Sequence, residues 1–328
     1  MSRTTWRRNG VPISDVPALA AELAMRQSYF RLRHVYEWRS KRRSAPAPQH
    51  AQVSQLHAAL AAAGVANGSL VMAHTSVTGV TLTDADGNAT PNSTAAAILV
   101  LDALTTMVGA SGTLALPTHP FYRNDPGYHF HDDKRDLVLR YDPARTLTRI
   151  GLVNELFRQA NGTRRSRHPL QSVSVAGPLA DELLDGNLYD GALPHGANSS
   201  YERIAQRDGL VVSVGTPLVQ SLTIVHIGED LRDAAWPVAA FFRPRRFVVA
   251  DGSHEHEWTV RERRPLFARA YAEGQLHRDL LAEGILHEGH ADSLRVDWLR
   301  SGELLDYLMF RNEKSPYPYY LSNLAKLG

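Results

Sequence analysis

Short apolar segments alternate with helical patterns along most of this 328-residue chain, and this alternation constrains the fold more than any other feature. Candidate strands span residues 69–73, 113–116, 173–176 and 210–214. Candidate helices span residues 53–63, 92–108, 149–159, 178–184, 201–207 and 221–231. Such alternation is typical of proteins whose helices cover both faces of a sheet. The sequence therefore predicts an α/β fold with a mixed β-sheet core flanked by helices.

The remaining segments predict a hairpin, two further helices and one long irregular stretch. Residues 247–249 and 258–260 flank an Asp-Gly pair, which favours an antiparallel pair of strands. Helices are expected near 265–273 and 293–307. Residues 117–147 contain four prolines, and long irregular segments of this kind are usually functional or inserted.

The first 50 residues differ in charge from the rest of the chain. They hold ten Lys and Arg residues against three Asp and Glu, whereas the remainder is mildly acidic. A helix is expected over 15–43, with Leu19, Leu23, Tyr29, Leu32 and Tyr36 on its apolar side. We therefore predict a basic helical extension over 1–50 and a main domain over 51–328. The extension suits a phosphate, an acidic partner or a second copy of the chain, and a homodimer is left open.

Several functional classes lack their sequence signatures. There is no cysteine, which excludes disulfides, thiolate zinc sites and a cysteine acyl-enzyme. No apolar run is long enough to span a membrane and no secretory leader is visible, so a cytoplasmic protein is expected. Dinucleotide, P-loop and serine-hydrolase motifs are absent. Histidine pairs at 129 and 131 and at 254 and 256 lack a third ligand, so no metal is expected.

Four short motifs follow one another along the chain. They read His-Thr-Ser at 74–76, Gly-Thr-Leu-Ala-Leu-Pro-Thr at 112–118, Arg-Ser-Arg-His-Pro-Leu-Gln-Ser at 165–172 and Thr-Ile-Val-His-Ile-Gly-Glu at 223–229. In this order they resemble the aminoglycoside 3-N-acetyltransferase family, over about residues 53–250. The resemblance implies an α/β/α sandwich of the antibiotic N-acetyltransferase type, acetyl-CoA as co-substrate and an amine as acceptor.

His168 is the candidate general base. An amine is protonated at neutral pH and attacks a thioester only as the free base, so a histidine suits the reaction. Pro169 disfavours a helical conformation at His168, which predicts a loop just before the strand at 173–176. The resemblance strengthens this role, in a ternary complex without a covalent enzyme intermediate. The alternative is a structural histidine.

Glu229 is the second candidate catalytic residue. It follows His226 by three positions, so both lie near one face of a helix. Its carboxylate could orient His168 or hold the acceptor ammonium group. The apolar residues around Glu229 and Asp230 suggest that one carboxylate is buried. His226 and Asp230 are predicted to contact the substrate.

The donor side is predicted from residues after the first strand and around the His-Pro block. Hydroxyls and backbone amides at the strand end could meet the pantetheine arm or the thioester oxygen. Arginines at 164, 165 and 167 could bind the CoA phosphates. The predicted donor-binding residues are Thr75, Ser76, Val77, Arg165 and Ser172.

Two alternatives remain open. The length of segment 117–147 and a Ser-Ser pair at 199–200, in place of the Ser-Pro usual in this family, fit a biosynthetic acyltransferase with a different acyl donor or a peptide acceptor. A non-catalytic protein that binds nucleic acid through the basic arm is the other. No nucleic-acid module is recognisable, so neither nucleic acid nor a membrane is expected as partner.

Overall fold

The computed structural model describes residues 47–122, 138–232, 242–263, 271, 273–314 and 319. Its strands are β1 (Gln49–Gln52), β2 (Leu70–Thr75), β3 (Val80–Thr83), β4 (Thr113–Pro117), β5 (Leu139–Tyr141), β6 (Arg164–Arg165), β7 (Val173–Ala176), β8 (Leu210–Val214), β9 (Phe242–Asp251), β10 (His254–Arg263), β11 (His287–Ala291) and β12 (Leu294–Arg300). Its α-helices are α1 (Val53–Ala62), α2 (Ser93–Val108), α3 (Leu152–Gln159), α4 (Ala180–Leu184), α5 (Ser200–Gln206), α6 (Leu218–Ser221), α7 (Ile227–Asp230), α8 (Glu273–Ala282) and α9 (Ser301–Lys314). The basic helix expected over 15–43 lies outside the described residues.

A seven-stranded mixed sheet forms the centre of the fold. Its strand order is β11-β12-β8-β2-β4-β7-β6. The central strand β2 runs parallel to β4 and β8, while the outer pairs are antiparallel. The predicted α/β class with a mixed sheet is therefore confirmed.

Both faces of this sheet are buried, because alternate residues of its strands belong to different cores. In β2, Val71 and Ala73 pack with α1, α2 and α3, whereas Met72 packs on the opposite side with α4, α5 and α9. Side chains alternate across a strand, so two helical layers can each take one set. The result is the α/β/α sandwich that the family resemblance implies.

A second sheet joins the hairpin of β9 and β10 to β5, which lies parallel to β9. The predicted antiparallel hairpin is confirmed, and each strand is longer than predicted. Its core contains Tyr141, Phe247, Val249 and Val260. The strand β5 lies inside the stretch predicted to be irregular, of which residues 123–137 are outside the described part.

The helix predicted over 293–307 is wrong in its first half, where the chain forms strand β12. Leu294 and Val296 pack on one face of the sheet and Leu299 packs on the other. When both faces are buried, the apolar residues lose the strict two-residue period, and the pattern no longer distinguishes a strand from a helix. The helix α9 begins only at Ser301.

Two other predicted helices have different bounds. The segment 221–231 is divided into α6, a 3₁₀ turn (Thr223–His226) and α7, because Leu222 has a non-helical ψ of 77°. The helix α3 begins at Leu152 rather than 149, after Gly151 in a left-handed conformation (φ 69°). The helix predicted near 265–273 lies mostly outside the described residues.

None of the helices in the described ranges combines the length and hydropathy needed to cross a bilayer.

Candidate active site

The candidate site lies at the carboxyl ends of the parallel strands β2, β4 and β8 of the central sheet, where clefts in α/β proteins usually form. This end of the sheet is the sheet edge referred to below. Because β7 runs antiparallel to β4, with Val173 opposite Pro117, the start of β7 also lies here. The loop that carries His168, predicted to lie just before the strand at 173–176, is thereby brought to the ends of the parallel strands.

His168 is fully buried in this loop. The backbone N–H of Leu170 donates a hydrogen bond to its Nδ1 over 3.3 Å. Loss of hydration lowers the pKa of His168 to about 3, against the opposing effects of the Ala192 backbone and the Asp230 charge. The imidazole is therefore neutral around pH 7, with its proton on Nε2 because Nδ1 accepts the Leu170 N–H, and the role of His168 as general base stays a prediction.

Glu229 and His226 contact each other, as their spacing predicted. Nδ1 of His226 lies 3.2 Å from Oε2 of Glu229, and Nη2 of Arg263 on β10 lies 3.3 Å from the same oxygen. The Glu229 side chain is only 5% exposed. Burial, followed by the charge of Arg263, lowers the pKa of His226 well below its usual value. The hairpin thus supplies a cation to the carboxylate that the sequence identified.

Asp230 forms a buried pair with His195, a residue that the sequence analysis did not assign. Oδ2 of Asp230 accepts the backbone N–H of His195 over 3.0 Å and lies 3.2 Å from its Nδ1. Burial raises the pKa of Asp230, but the His195 hydrogen bonds and the Arg263 charge outweigh it and hold the pKa below its ordinary value. The only sequence signal for this pair was a carboxylate among apolar residues.

Aromatic and histidine rings complete the cluster. The centroid of the Tyr201 ring lies 4.3 Å from that of His195, and the centroid of the His226 ring lies 5.5 Å from that of His195. The hydroxyl of Tyr201 is hydrogen-bonded to Nε2 of His119, which follows β4, over 3.1 Å. Burial lowers the pKa of His74, at the end of β2, to about 3. Five histidines from different segments therefore lie in this part of the fold, and burial favours the neutral form of each.

Three of the predicted donor-binding residues lie at or just after the end of β2, and each of them contacts other residues of the protein. The hydroxyl of Thr75 donates to Oδ1 of Asn154 over 3.2 Å, and the N–H of Ser76 donates to the carbonyl of Val214 over 2.9 Å. Val77 is buried in the core. These contacts fix the strand end, and binding of pantetheine by these three residues stays a prediction.

Arg165 and Ser172 contact each other close to the end of β4. Nε of Arg165 donates to Oγ of Ser172 over 2.9 Å, and the guanidinium also donates to the carbonyls of Thr146 and Thr118. The hydroxyl of Ser172 donates to the Thr118 carbonyl over 2.9 Å. Arg165 thus connects three chain segments, and its contact with CoA stays a prediction.

A groove of about 580 Å³ lies beside the edge strand β6. It is lined by Arg164, Arg165, Arg167, Asp181, Glu182, Leu184, Asp185 and Arg203. The carboxylates offset most of the positive charge, and Arg164 is paired with Asp181.

Within the described ranges no group of three or more His, Asp or Glu side chains is arranged to hold a metal ion.

Gly215 sets how closely the end of β8 approaches the end of β2. It has a left-handed conformation (φ 79°), and a methyl group there would collide with the Ser76 carbonyl oxygen. We expect Gly215→Ala to lower the free energy of unfolding in urea by about 1–3 kcal/mol. Gly252→Ala is the matched control, because Gly252 also has a positive φ (62°) but would meet no atom within 4 Å. Equal losses in both variants would show that the backbone angle alone is responsible.

The family model described as aminoglycoside 3-N-acetyltransferase matches residues 72–311. The chain belongs to this family. The matched region contains the sheet edge and every candidate catalytic and acceptor-side residue named above. The predicted family is therefore confirmed.

Characterised relatives of this acetyltransferase family align over part of their length. The aminoglycoside N(3)-acetyltransferase IX of Micromonospora chalcea is 32% identical over 199 residues, which cover 58% of this chain and 63% of that protein. The aminoglycoside N(3)-acetyltransferase III of Salmonella sp. is 32% identical over 181 residues, covering 53% and 59%. The chain thus spans about three fifths of the length of these relatives.

Solved structures of aminoglycoside acetyltransferases share the fold. The crystal structure of AAC(3)-Xa superimposes with a TM-score of 0.65 at 24% identity, over 81% of this chain and 93% of that one. The binary complex of AAC-IIIb with CoASH has a TM-score of 0.62 at 22% identity, over 81% and 97%. Sisomicin-bound AAC-VIa has a TM-score of 0.62 at 20% identity, over 80% and 98%.

Proposed function

We propose that this protein transfers the acetyl group of acetyl-CoA to an amine of an aminoglycoside-like molecule. The observation that carries the proposal is the buried cluster of His168, His195, Glu229 and Asp230, at a sheet edge within the region that matches the family model. The structural neighbours that hold CoASH and sisomicin support the two reactant classes. The division into an extension over 1–50 and a catalytic domain over 51–328 is part of this proposal.

In the proposed reaction, the neutral imidazole of His168 acts as the general base. The lone pair of the acceptor amine attacks the thioester carbonyl carbon, and His168 takes the proton that the nitrogen loses as the C–N bond forms. The electron pair displaced to the carbonyl oxygen returns, the C–S bond breaks, and the thiolate takes up the proton. Amine and thioester react in one complex, so no residue is acetylated.

The acidic side of the cluster suits a cationic acceptor. Glu229 and Asp230 lie side by side, and Arg263 and His226 flank them. When His226 is neutral, the two carboxylates and Arg263 leave one net negative charge to attract an ammonium group. Thr75, Ser76, Val77, Arg165 and Ser172 are proposed on the donor side.

A thiol-release assay tests the proposed function. Acetyl-CoA is incubated with the protein and with a panel of aminoglycosides (sisomicin, gentamicin, apramycin), polyamines and lysine-containing peptides. We expect release that depends on an aminoglycoside. Release only with peptides, or only with longer acyl-CoA donors, would favour the biosynthetic acyltransferase instead. No amine-dependent release with any donor would contradict both.

Glu229→Gln is expected to lower kcat/KM for the acceptor about 10–100-fold, the range for losing one charge-assisted buried contact. The amide keeps the shape of the side chain and removes the charge that faces His226 and Arg263. Glu182→Gln, which removes an exposed pair with Arg207, serves as the control. Unchanged kcat and KM in the Glu229 variant would assign this carboxylate a purely structural role.

A further inference from the structure

The central sheet is open on the outer side of strand β11. This strand is the last in the order of the seven-stranded sheet, and among the described residues it pairs only with β12. The side chains of Glu288 and His290, which flank Gly289 in the middle of the strand, are exposed. The strand contains no proline, lysine or bulge, which are features that usually stop an edge strand from pairing with another chain.

The backbone groups of Glu288 and His290 point away from β12. Opposite residues of an antiparallel pair alternate between hydrogen-bonded and non-hydrogen-bonded positions. His290 lies opposite Arg295, whose carbonyl accepts the Gly215 N–H over 2.8 Å and whose N–H donates to the Gln49 side chain over 2.9 Å. His290 is therefore at a non-hydrogen-bonded position, and so is Glu288 two residues earlier. Their N–H and C=O groups face outwards, where no backbone group of the described ranges meets them.

Both ends of β11 are fixed to the rest of the fold. After the strand, the N–H of Ser293 donates to the carbonyl of His50 over 3.2 Å, and the N–H of His50 donates to Oγ of Ser293 over 2.8 Å. Before the strand, the N–H of Leu286 donates to the carbonyl of Leu280 over 3.1 Å. The strand is thus held extended in advance, so it loses little conformational entropy when it pairs with another strand.

We propose that β11 pairs with β11 of a second copy of this chain, antiparallel and about a two-fold axis at Gly289. In this register Glu288 of each copy lies opposite His290 of the other. Each of these pairs exchanges backbone hydrogen bonds in both directions, so the outward N–H and C=O groups of both residues are satisfied. The two central sheets become one continuous sheet, and the interface is self-complementary, as a two-fold dimer requires.

The charged side chains favour this register over its neighbours. Glu288 contacts Nε2 of His277 over 3.3 Å and the Arg295 guanidinium, both through Oε1, so its Oε2 can accept an N–H from the His290 ring of the second copy. An imidazole has an N–H donor in either protonation state. An axis shifted by one residue would place Glu288 opposite Glu288 or opposite Asp292 of the second copy, and like charges directly opposite each other are destabilising.

Gly289 lies at the proposed axis, where the two backbones approach most closely. It faces Gly289 of the second copy at a non-hydrogen-bonded position, with Cα atoms about 4.5 Å apart. A Cβ on Gly289 would lie 2.8 Å from the Trp298 ring of its own chain, so this ring already occupies the space of a side chain. The glycine therefore leaves the centre of the interface free of side chains.

Engineered cysteines test the register, because the chain contains none of its own. The Glu288→Cys and His290→Cys proteins are prepared separately, mixed to allow subunit exchange and mildly oxidised. Opposite residues of a hydrogen-bonded pair have Cα atoms about 5.5 Å apart, which suits a disulfide. In either variant alone the two cysteines would be about 8 Å apart, too far for this bond. We expect the mixture to form a disulfide-linked dimer at least about tenfold faster than either variant alone.

Charge substitutions at His290 test the side-chain pairing. Within one chain this position lies opposite Arg295, whereas in the proposed dimer it lies opposite Glu288 of the second copy. His290→Glu should therefore weaken the dimer without harming the fold, and His290→Lys should preserve the dimer. Sedimentation equilibrium at micromolar concentrations is expected to show a wild-type dimer and a dissociation constant at least about tenfold higher for His290→Glu. His254→Glu, at an exposed histidine of the other sheet, is the control and should associate like wild type.

The opposite results overturn the inference. A wild-type chain that stays monomeric at every concentration contradicts the dimer. A dimer that His290→Glu leaves unchanged, or disulfides that form equally fast in the mixture and in each variant alone, contradict pairing through β11. Thermal melting reports the folding of each variant, and if His290→Glu does not fold, the cysteine mixture decides. None of these measurements depends on catalysis, so they stand apart from the test of the proposed acetyl transfer.

Discussion

His168→Ala is expected to lower kcat about 10²–10⁴-fold, the usual contribution of a positioned general base. The imidazole is neutral and fully buried at the sheet edge, next to the carboxylate cluster. Alanine offers no nitrogen that can take the proton of the attacking amine. Turnover is measured by thiol release from acetyl-CoA at saturating acceptor, and CoA affinity by calorimetry, where little change is expected.

Two further variants serve as controls for the expected loss of turnover in His168→Ala. His168→Gln fills more of the space left by the ring but removes the base, and it should be as impaired as alanine. His254→Ala removes an exposed histidine of the hairpin and should be as active as wild type. Wild-type turnover in a folded His168→Ala protein would exclude His168 as the base.

Arg165→Met is expected to lower the free energy of unfolding by about 3–4 kcal/mol. The substitution leaves the carbonyl of Thr146 and the hydroxyl of Ser172 without this donor, and the carbonyl of Thr118 keeps only the Ser172 hydroxyl. Each buried polar group left without its donor costs about 1–3 kcal/mol, without full additivity. Urea denaturation monitored by circular dichroism measures the loss.

Arg164→Met is the matched control, because this neighbouring arginine is exposed and its ion pair with Asp181 contributes little. We expect a loss below about 1 kcal/mol there. An Arg165→Met protein with wild-type stability but a raised KM for acetyl-CoA would contradict the structural role and assign the arginine to donor binding.

The central strands could be predicted because their apolar residues are short runs between clear helix signals. Leu210–Val214 is buried at all five positions, and its run is too short for a core helix. The same criterion failed for Leu294–Arg300, where Arg295 and Asp297 interrupt the apolar run and pair with each other. Asp297 also accepts the backbone N–H of Leu218, a partner that no local pattern reveals.

Contacts within the candidate site could be predicted where the residues lie close in the sequence. His226 and Glu229 are three residues apart, and the His-Pro pair identified the loop at 168. His195 and Asp230 are 35 residues apart, and Arg263 reaches them from a different sheet. Their meeting depends on the packing of the hairpin against α7, which a single sequence does not encode as a pattern.

The central claim, acetyl transfer to an amine, is tested most directly by identifying the product. Acetyl-CoA with a deuterated acetyl group is incubated with the protein and sisomicin, and the aminoglycoside is analysed by mass spectrometry and NMR. The account predicts one deuterated acetyl group on a single nitrogen, formed with the wild-type protein and almost absent with His168→Ala. Sisomicin recovered unmodified, alongside every other amine of the panel, would contradict it.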